Sequence, residues 1–303
     1  MSGLVPSAFA ERVSQYEPQG PDLGASYAVT GADWLRRLPG LLDELATEWR
    51  LEPDGPSWSG SCAVAIPVRA PEGAAVLKVG WPHLEALTEH LALRHWAGRG
   101  AVRLLRADPH RSALLLERLD PTQDLTTVPV DEACGVLGDL LGRLTVPAVA
   151  RTPTLTAYVE RQVGKAAPPG VPRRFVDRAR HLAVELSDHP LVDARLLHTD
   201  LHYANVLRGR DQEWLAIDPK PMAGDPAFEV APALWNRADD LGTGSTFRWS
   251  VRRRLEIICE RAGIDEERAR GWTVVREVDN AAQPGLTPDR VSLAVAIVKA
   301  MHD

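Results

Sequence analysis

The chain has 303 residues, a formal net charge of -6, 45% hydrophobic residues and 25% charged residues. That is the make-up of a soluble globular protein long enough for one large domain or two lobes. No basic run marks a nucleic-acid surface, and no apolar run reaches the roughly 20 residues a membrane helix needs.

Three cysteines, Cys62, Cys134 and Cys259, stand far apart and form no CxxC pair. They predict free buried thiols in a reducing cytoplasm. No apolar block follows a basic start, so a signal peptide is not expected. Among 35 basic residues only four are lysine: Lys78, Lys165, Lys220 and Lys299. A lysine kept against that bias is a candidate for chemistry.

Residues 1–30, rich in Gly, Pro and Ser, read as a loosely packed arm. Leu41, Leu42, Leu45 and Trp49 share one face of a helix over 39–50, with Pro39 in its first turn. Cys62–Val68 and Ala74–Val79 read as strands joined at "APEG". After Pro82 a helix carries Leu84, Leu87 and Leu91 and ends at Gly98. "AVRLLRAD" and "SALLLERL" are two short strands around a turn at 108–111. Strand character stops at "ERLDPTQD", where a proline ends the last strand and sets a natural hinge.

Beyond it, "VDEACGVLGDLLGRL" places Val136, Leu137, Leu140, Leu141 and Leu144 on one helical stripe. "TLTAYVERQV" and "RRFVDRARHLAVEL" also read as helices. One hairpin follows, then helices over "FRWSVRRRLEIICERAG", "EERARGWTVVREVDNAA" and "DRVSLAVAIVKAM". Strands first and helices afterwards predict an α+β fold in two lobes, residues 1–119 and 120–303.

The chemistry gathers at "LLHTDLHYANVL", residues 196–207. "NVLR", "GRDQE" and "WLAID" make strand, turn and returning strand. Asn205 then starts one strand and Asp218 ends the other, at the same end of the ribbon, with Asp200 just upstream. Two oxygen ligands from Asn205 and Asp218 suit magnesium. A nearby carboxylate that takes a hydroxyl proton completes what phosphoryl transfer to an alcohol requires. The competing reading is a zinc site on His198 and His202. It lacks a third ligand and an HExxH helix, so the histidines read as supports of the loop.

His198-Thr199-Asp200, Asn205 five residues on and Asp218 after a hairpin resemble the catalytic and metal-binding loops of kinase-like phosphotransferases. "LLHTDLHYANVL…WLAIDPKPMAGDPAFEVAPALWNR" is similar to the aminoglycoside and hydroxyurea phosphotransferase family, and within it to the streptomycin 6-phosphotransferases. "AAVLKVGWP", "EHLALRHWAGRGAVRLL", "ALLLERLDP" and "RARGWTVVREVDNA" fit that pattern in order, so the resemblance covers most of residues 35–300.

It implies a protein-kinase-like fold, with a small antiparallel-sheet lobe, one bracing helix and a larger helical lobe. It implies ATP and Mg2+, a cationic aminoglycoside as acceptor, and no nucleic-acid, membrane or obligate protein partner. Lys78 would pair with the α- and β-phosphates, oriented by Glu89 or by Glu85 one turn earlier. Gly55, Gly60 and Ser61 would belong to the phosphate loop. Leu116 to Leu119 would be the hinge, with Glu117 and Leu119 at the adenine edge. Asp200 would be the base, and Asn205 and Asp218 the metal ligands.

Some features depart from the kinase pattern. Thr199 stands where many relatives have glycine, no arginine precedes Asp200, and Pro219-Lys220 follows Asp218. These differences, with the missing Ala-Pro-Glu segment, point away from a protein substrate. Candidates for the acceptor pocket are Glu160, Glu229, Asp239, Asp240, Glu277 and Asp279, with Asn280 three residues from Glu277 on one helix face. Asp225 is either on the substrate side or a structural anchor. Two other functions fit the same motifs: a kinase for hydroxyurea or an amino sugar, and a nucleotide-binding regulatory module without transfer.

Overall fold

The computed structural model describes residues 2–18, 29–83, 86–283 and 285–302. The chain divides into two compact units, Met1–Leu119 and Asp120–Asp303.

The first unit opens with helices α1 (Ser7–Val13) and α2 (Gly31–Trp49). Strands β1 (Glu52–Pro53), β2 (Trp58–Ser59), β3 (Ala63–Ala70) and β4 (Gly73–Gly80) follow. Helix α3 (Ala86–Trp96) precedes β5 (Leu104–Asp108) and β6 (Ala113–Glu117). The sheet runs β1-β3-β4-β6-β5, with β2 also pairing to β3. Ala70 faces Gly73, so a two-residue turn joins β3 to β4. Gly73 sits at φ 114, a conformation that a Cβ disfavours.

Helix α2 begins eight residues before the expected Pro39. The Thr30 side chain caps it by accepting from Asp33 N at 3.1 Å. Leu38, Leu42 and Leu45 on one face are fully buried. Pro39 lies inside the helix and offers no donor to the Leu35 carbonyl. Burial of that face outweighs the lost bond. The expectation of a loose arm fails over its first part as well. Phe9 and Val13 of α1 are fully buried in the core formed by α2 and the sheet. Phe9 meets Trp34 edge-on at 6.1 Å, and burying one such side chain contributes about 2–3 kcal/mol. The rest of the arm from 19 to 28, together with Leu84 and Glu85, lies outside the described residues.

The second unit starts with a strand, β7 (Asp120–Asp124), although the sequence suggested that strands had stopped. Pro121 is tolerated because β7 is the edge of a sheet ordered β11-β10-β7. Then come α4 (Val130–Leu144), β8 (Val146–Pro147), α5 (Leu155–Val163), α6 (Arg173–Ser187) and β9 (Arg195–Leu197). The hairpin is β10 (Val206–Arg208) and β11 (Trp214–Ala216), followed by β12 (Met222–Gly224). Helices α7 (Ala231–Trp235), α8 (Gly244–Ala262), α9 (Glu266–Asn280) and α10 (Pro288–Ala300) complete it.

A second small sheet, β12-β9-β8, was not foreseen, because its strands are only two or three residues long. It brings the segment after Asp218 alongside the segment before His198, with Met222 opposite Leu197. A Cβ on Gly224 would lie 2.6 Å from Leu197 Cδ1, so glycine permits this approach. Among the described residues no helix is long and apolar enough to cross a membrane.

Candidate active site

In the first unit, alternation along β4 sends Leu77 and Val79 into the core and Lys78 to the opposite face. Lys78 Nζ lies 2.6 Å from Glu89 Oε1, with the two side chains 15% and 8% exposed. Glu89 is in the first turn of α3, and the pairing joins strand to helix. Glu85, the alternative partner, falls outside the described residues.

Gly60 and Ser61 form the turn between β2 and β3, closed by Gly60 N donating to Ala63 O at 3.0 Å. Two residues of the supposed arm hold that turn. Arg12 Nη2 donates to Gly60 O at 2.6 Å, and Tyr16 Oη to Ser61 O at 3.1 Å. Gly55 adopts φ 142, which requires glycine. Glu117 accepts from Arg103 N through its carboxylate at 2.7 Å, tying the end of β6 to the approach of β5. Leu119 is buried.

In the second unit, Val206 pairs with Ala216, and Ile217 N donates to Asn205 O at 2.9 Å. Asn205 and Asp218 therefore stand at one end of the ribbon. Asn205 Nδ2 donates to Asp200 O at 2.9 Å. That bond fixes the amide, and its Oδ1 is the atom offered to a hard cation. With the Asp218 carboxylate, the donor set is oxygen only, which fits magnesium.

His198 is fully buried. Its Nε2–H donates to Ile217 O at 3.0 Å, and its Nδ1 accepts from Asp200 N at 3.3 Å. Burial pushes its pKa down to about 4, so the ring is neutral and can do both. Neither nitrogen is left for a metal. Burial also lowers the pKa of His202, and its buried Nδ1 has no partner among the described residues.

Thr199 sits at φ 58, a left-handed conformation costly for a β-branched residue. Three bonds hold it there. Thr199 N donates to Glu229 Oε1 at 2.8 Å, its hydroxyl donates to Lys220 O at 2.6 Å, and its carbonyl accepts from Arg276 Nη2 at 2.8 Å. Glu229 is 2% exposed, and burial pushes its carboxyl up to about 7. Arg276 also donates to Phe228 O at 3.2 Å, with its guanidinium 4.4 Å from the Phe228 ring centroid. Sequence reasoning missed Arg276 altogether and read Glu229 only as a pocket carboxylate. Asp200, next in the chain, is thus carried on a backbone fixed from three sides.

The acceptor candidates fall into three groups. Asp225 caps a short helix by accepting from Ala227 N at 2.9 Å, and takes bonds from Arg268 Nε and Trp272 Nε1, both at 3.0 Å. Asp279 is held by Tyr158 Oη at 3.0 Å and Lys165 Nζ at 2.9 Å. Glu277 is 1% exposed, its Oε1 lacks a partner among the described residues, and burial pushes its carboxyl up to about 8. Asn280 beside it is half-buried, whereas Glu160, Asp239 and Asp240 are exposed.

Residues 48–285 match the family described as aminoglycoside/hydroxyurea antibiotic resistance kinase. The chain belongs to that kinase family. It is 40% identical over 297 residues to a streptomycin 6-kinase of Streptomyces glaucescens, covering 93% of this chain and 96% of that protein. It is also 40% identical over 266 residues to a hydroxyurea phosphotransferase of Kitasatospora aureofaciens, covering 83% and 74%. The fold of this kinase resembles the crystal structure of aminoglycoside phosphotransferase APH(4)-Ia, with a TM-score of 0.58, 18% identity and coverage of 87% and 98%. The α+β architecture is therefore the protein-kinase-like one.

Proposed function

We propose that this kinase transfers the γ-phosphoryl group of ATP to a hydroxyl of an aminoglycoside, the 6-hydroxyl of streptomycin, and so inactivates the antibiotic in the cytoplasm. The observation that carries the reading is the convergence of Asp200, Asn205 and Asp218 around one ribbon end, in a chain so similar to a streptomycin 6-kinase.

In this reading residues 1–119 hold the nucleotide and residues 120–303 carry catalysis and the acceptor. Lys78, oriented by Glu89, binds the α- and β-phosphates. The β2–β3 turn at Gly60 and Ser61 lies over the phosphates, and the backbone of Glu117 and Leu119 meets adenine. Asn205 and Asp218 are the residues that would hold Mg2+, which when bound offsets phosphate charge. Asp200 accepts the proton of the acceptor hydroxyl as its oxygen forms a bond to the γ-phosphorus. The bond to the β-phosphate oxygen breaks, and ADP leaves with the electron pair. Asp225 and Glu277 support the acceptor side from within, and Asn280, half-buried three residues from Glu277 on the same helix, meets the acceptor.

A screen of the purified protein with labelled ATP against streptomycin, other aminoglycosides and hydroxyurea tests this, with the product position assigned by NMR. Transfer to streptomycin O6 is expected. No transfer to streptomycin beside rapid transfer to another acceptor would overturn the substrate. The similarity to a hydroxyurea phosphotransferase makes hydroxyurea the second reading, decided by the same screen.

A further inference from the structure

One lysine stands beside the base. Lys220 Nζ is 3.3 Å from Asp200 Oδ2, and the two side chains are 43% and 22% exposed, so substrate can reach both. The backbone of Lys220 is pinned to the loop it serves. Its N–H donates to His198 O at 2.9 Å, and its carbonyl accepts from Thr199 Oγ1 at 2.6 Å. Residues 198–205 contain neither lysine nor arginine. Residue 220 therefore brings to Asp200 a standing positive charge that the loop itself does not carry.

An ion pair this exposed adds little stability. A planar arginine also pairs better with a carboxylate, and arginine is what this chain otherwise uses: only four of its 35 basic residues are lysine. A lysine here suits a different task, a compact charge delivered on a flexible stem to a phosphoryl oxygen.

We propose that Lys220 is a catalytic residue whose ammonium binds an oxygen of the γ-phosphoryl group during its passage to the acceptor. The proposal rests on the kinase reading above. A base lies about 2.6–3.2 Å from the hydroxyl it serves, and that hydroxyl approaches phosphorus to about 3–3.5 Å. An ammonium beside Asp200 is then within a rotamer change of the transferring oxygens. Without substrate it rests on Asp200. In the transfer the acceptor oxygen bonds to phosphorus, the bond to ADP breaks and Asp200 takes the hydroxyl proton. Lys220 keeps its own protons and balances charge on the equatorial oxygens.

Native protein, Lys220→Gln, Lys220→Met and Lys220→Arg are compared with Mg-ATP and streptomycin, or the best acceptor from the screen. The readouts are kcat, both KM values and the thermal midpoint. Two neutral replacements guard against one that fails to fold. The expected result is a fall in kcat of about 10²–10³-fold for Gln and Met, with both KM values within about threefold and Arg more active than Gln. A folded Gln or Met variant within about threefold of native kcat overturns the proposal, as does a loss seen only in KM, or an Arg variant no better than Gln. If the native protein transfers phosphate to no acceptor, the kinase reading itself fails. If it transfers rapidly and the neutral variants match it, only the role of Lys220 fails.

Discussion

In the variant Glu277→Gln, the buried carboxyl of α9 becomes a neutral group of the same shape. Glu277 is 1% exposed, its Oε1 has no partner among the described residues, and its pKa rises from 4.5 to about 8. Burial is the main cause, set against the nearby Arg276 charge and the Asn280 hydrogen bond. A raised pKa means that the folded chain holds the proton more tightly than the unfolded chain. The stability this gives is full below about pH 4.5 and is lost as pH climbs through about 8. At about 1.4 kcal/mol per pH unit, native protein has lost about 1 kcal/mol by pH 5 and about 4 kcal/mol by pH 8. Glutamine does not titrate, so its advantage should grow by about 3 kcal/mol over that range. Urea unfolding of both proteins at pH 5, 6.5 and 8, followed by far-UV circular dichroism, measures it. A difference that stays constant with pH would refute the reasoning. An unchanged KM for the aminoglycoside is expected too, because a side chain this buried does not touch the acceptor, and a large rise would place Glu277 in the pocket.

Three further outcomes follow from the site. Asp200→Asn should lower kcat by about 10³-fold or more while nucleotide affinity, measured by calorimetry, stays within about threefold. Glu229→Ala leaves the buried Thr199 N–H without its acceptor. It should destabilise by about 1–3 kcal/mol in chemical denaturation and slow turnover by misplacing Asp200. Lys78→Met removes the ammonium 2.6 Å from the Glu89 carboxylate, which is 8% exposed, so about 2–3 kcal/mol of stability should be lost and the KM for ATP should rise; adding Glu89→Gln should recover stability but not the KM.

The candidate site was readable where chemistry is local in the chain. The turn "GRDQE" between the short segments "VLR" and "WLA" sets the hairpin, and its register brings Asn205 and Asp218 together. Lys78 was marked by its rarity and its strand setting. The residues that shape the loop were not readable in the same way. Glu229 and Arg276 lie 30 and 77 residues from Thr199, and no local periodicity records such a contact. The same limit hid α1, whose two buried positions four apart mean nothing until α2 and the sheet cover them. It also hid β7, where polar side chains and Pro121 disguise a strand made by backbone pairing with β10. Pro39 misled because a proline signals a helix start only when no earlier cap competes with Thr30.

The family match begins at residue 48, but Phe9, Val13, Trp34, Leu38, Leu42 and Leu45 share one core with β3, β4 and β6. A fragment cut at residue 48, where the family match begins, would strip six large apolar side chains from the sheet that carries Lys78. It would also free the β2–β3 turn from Arg12 and Tyr16. For expression trials or domain grafting, the smallest first unit worth making therefore starts before Ser7. The edge of the family match and the edge of what folds lie some forty residues apart, a gap set by Ser7 and residue 48.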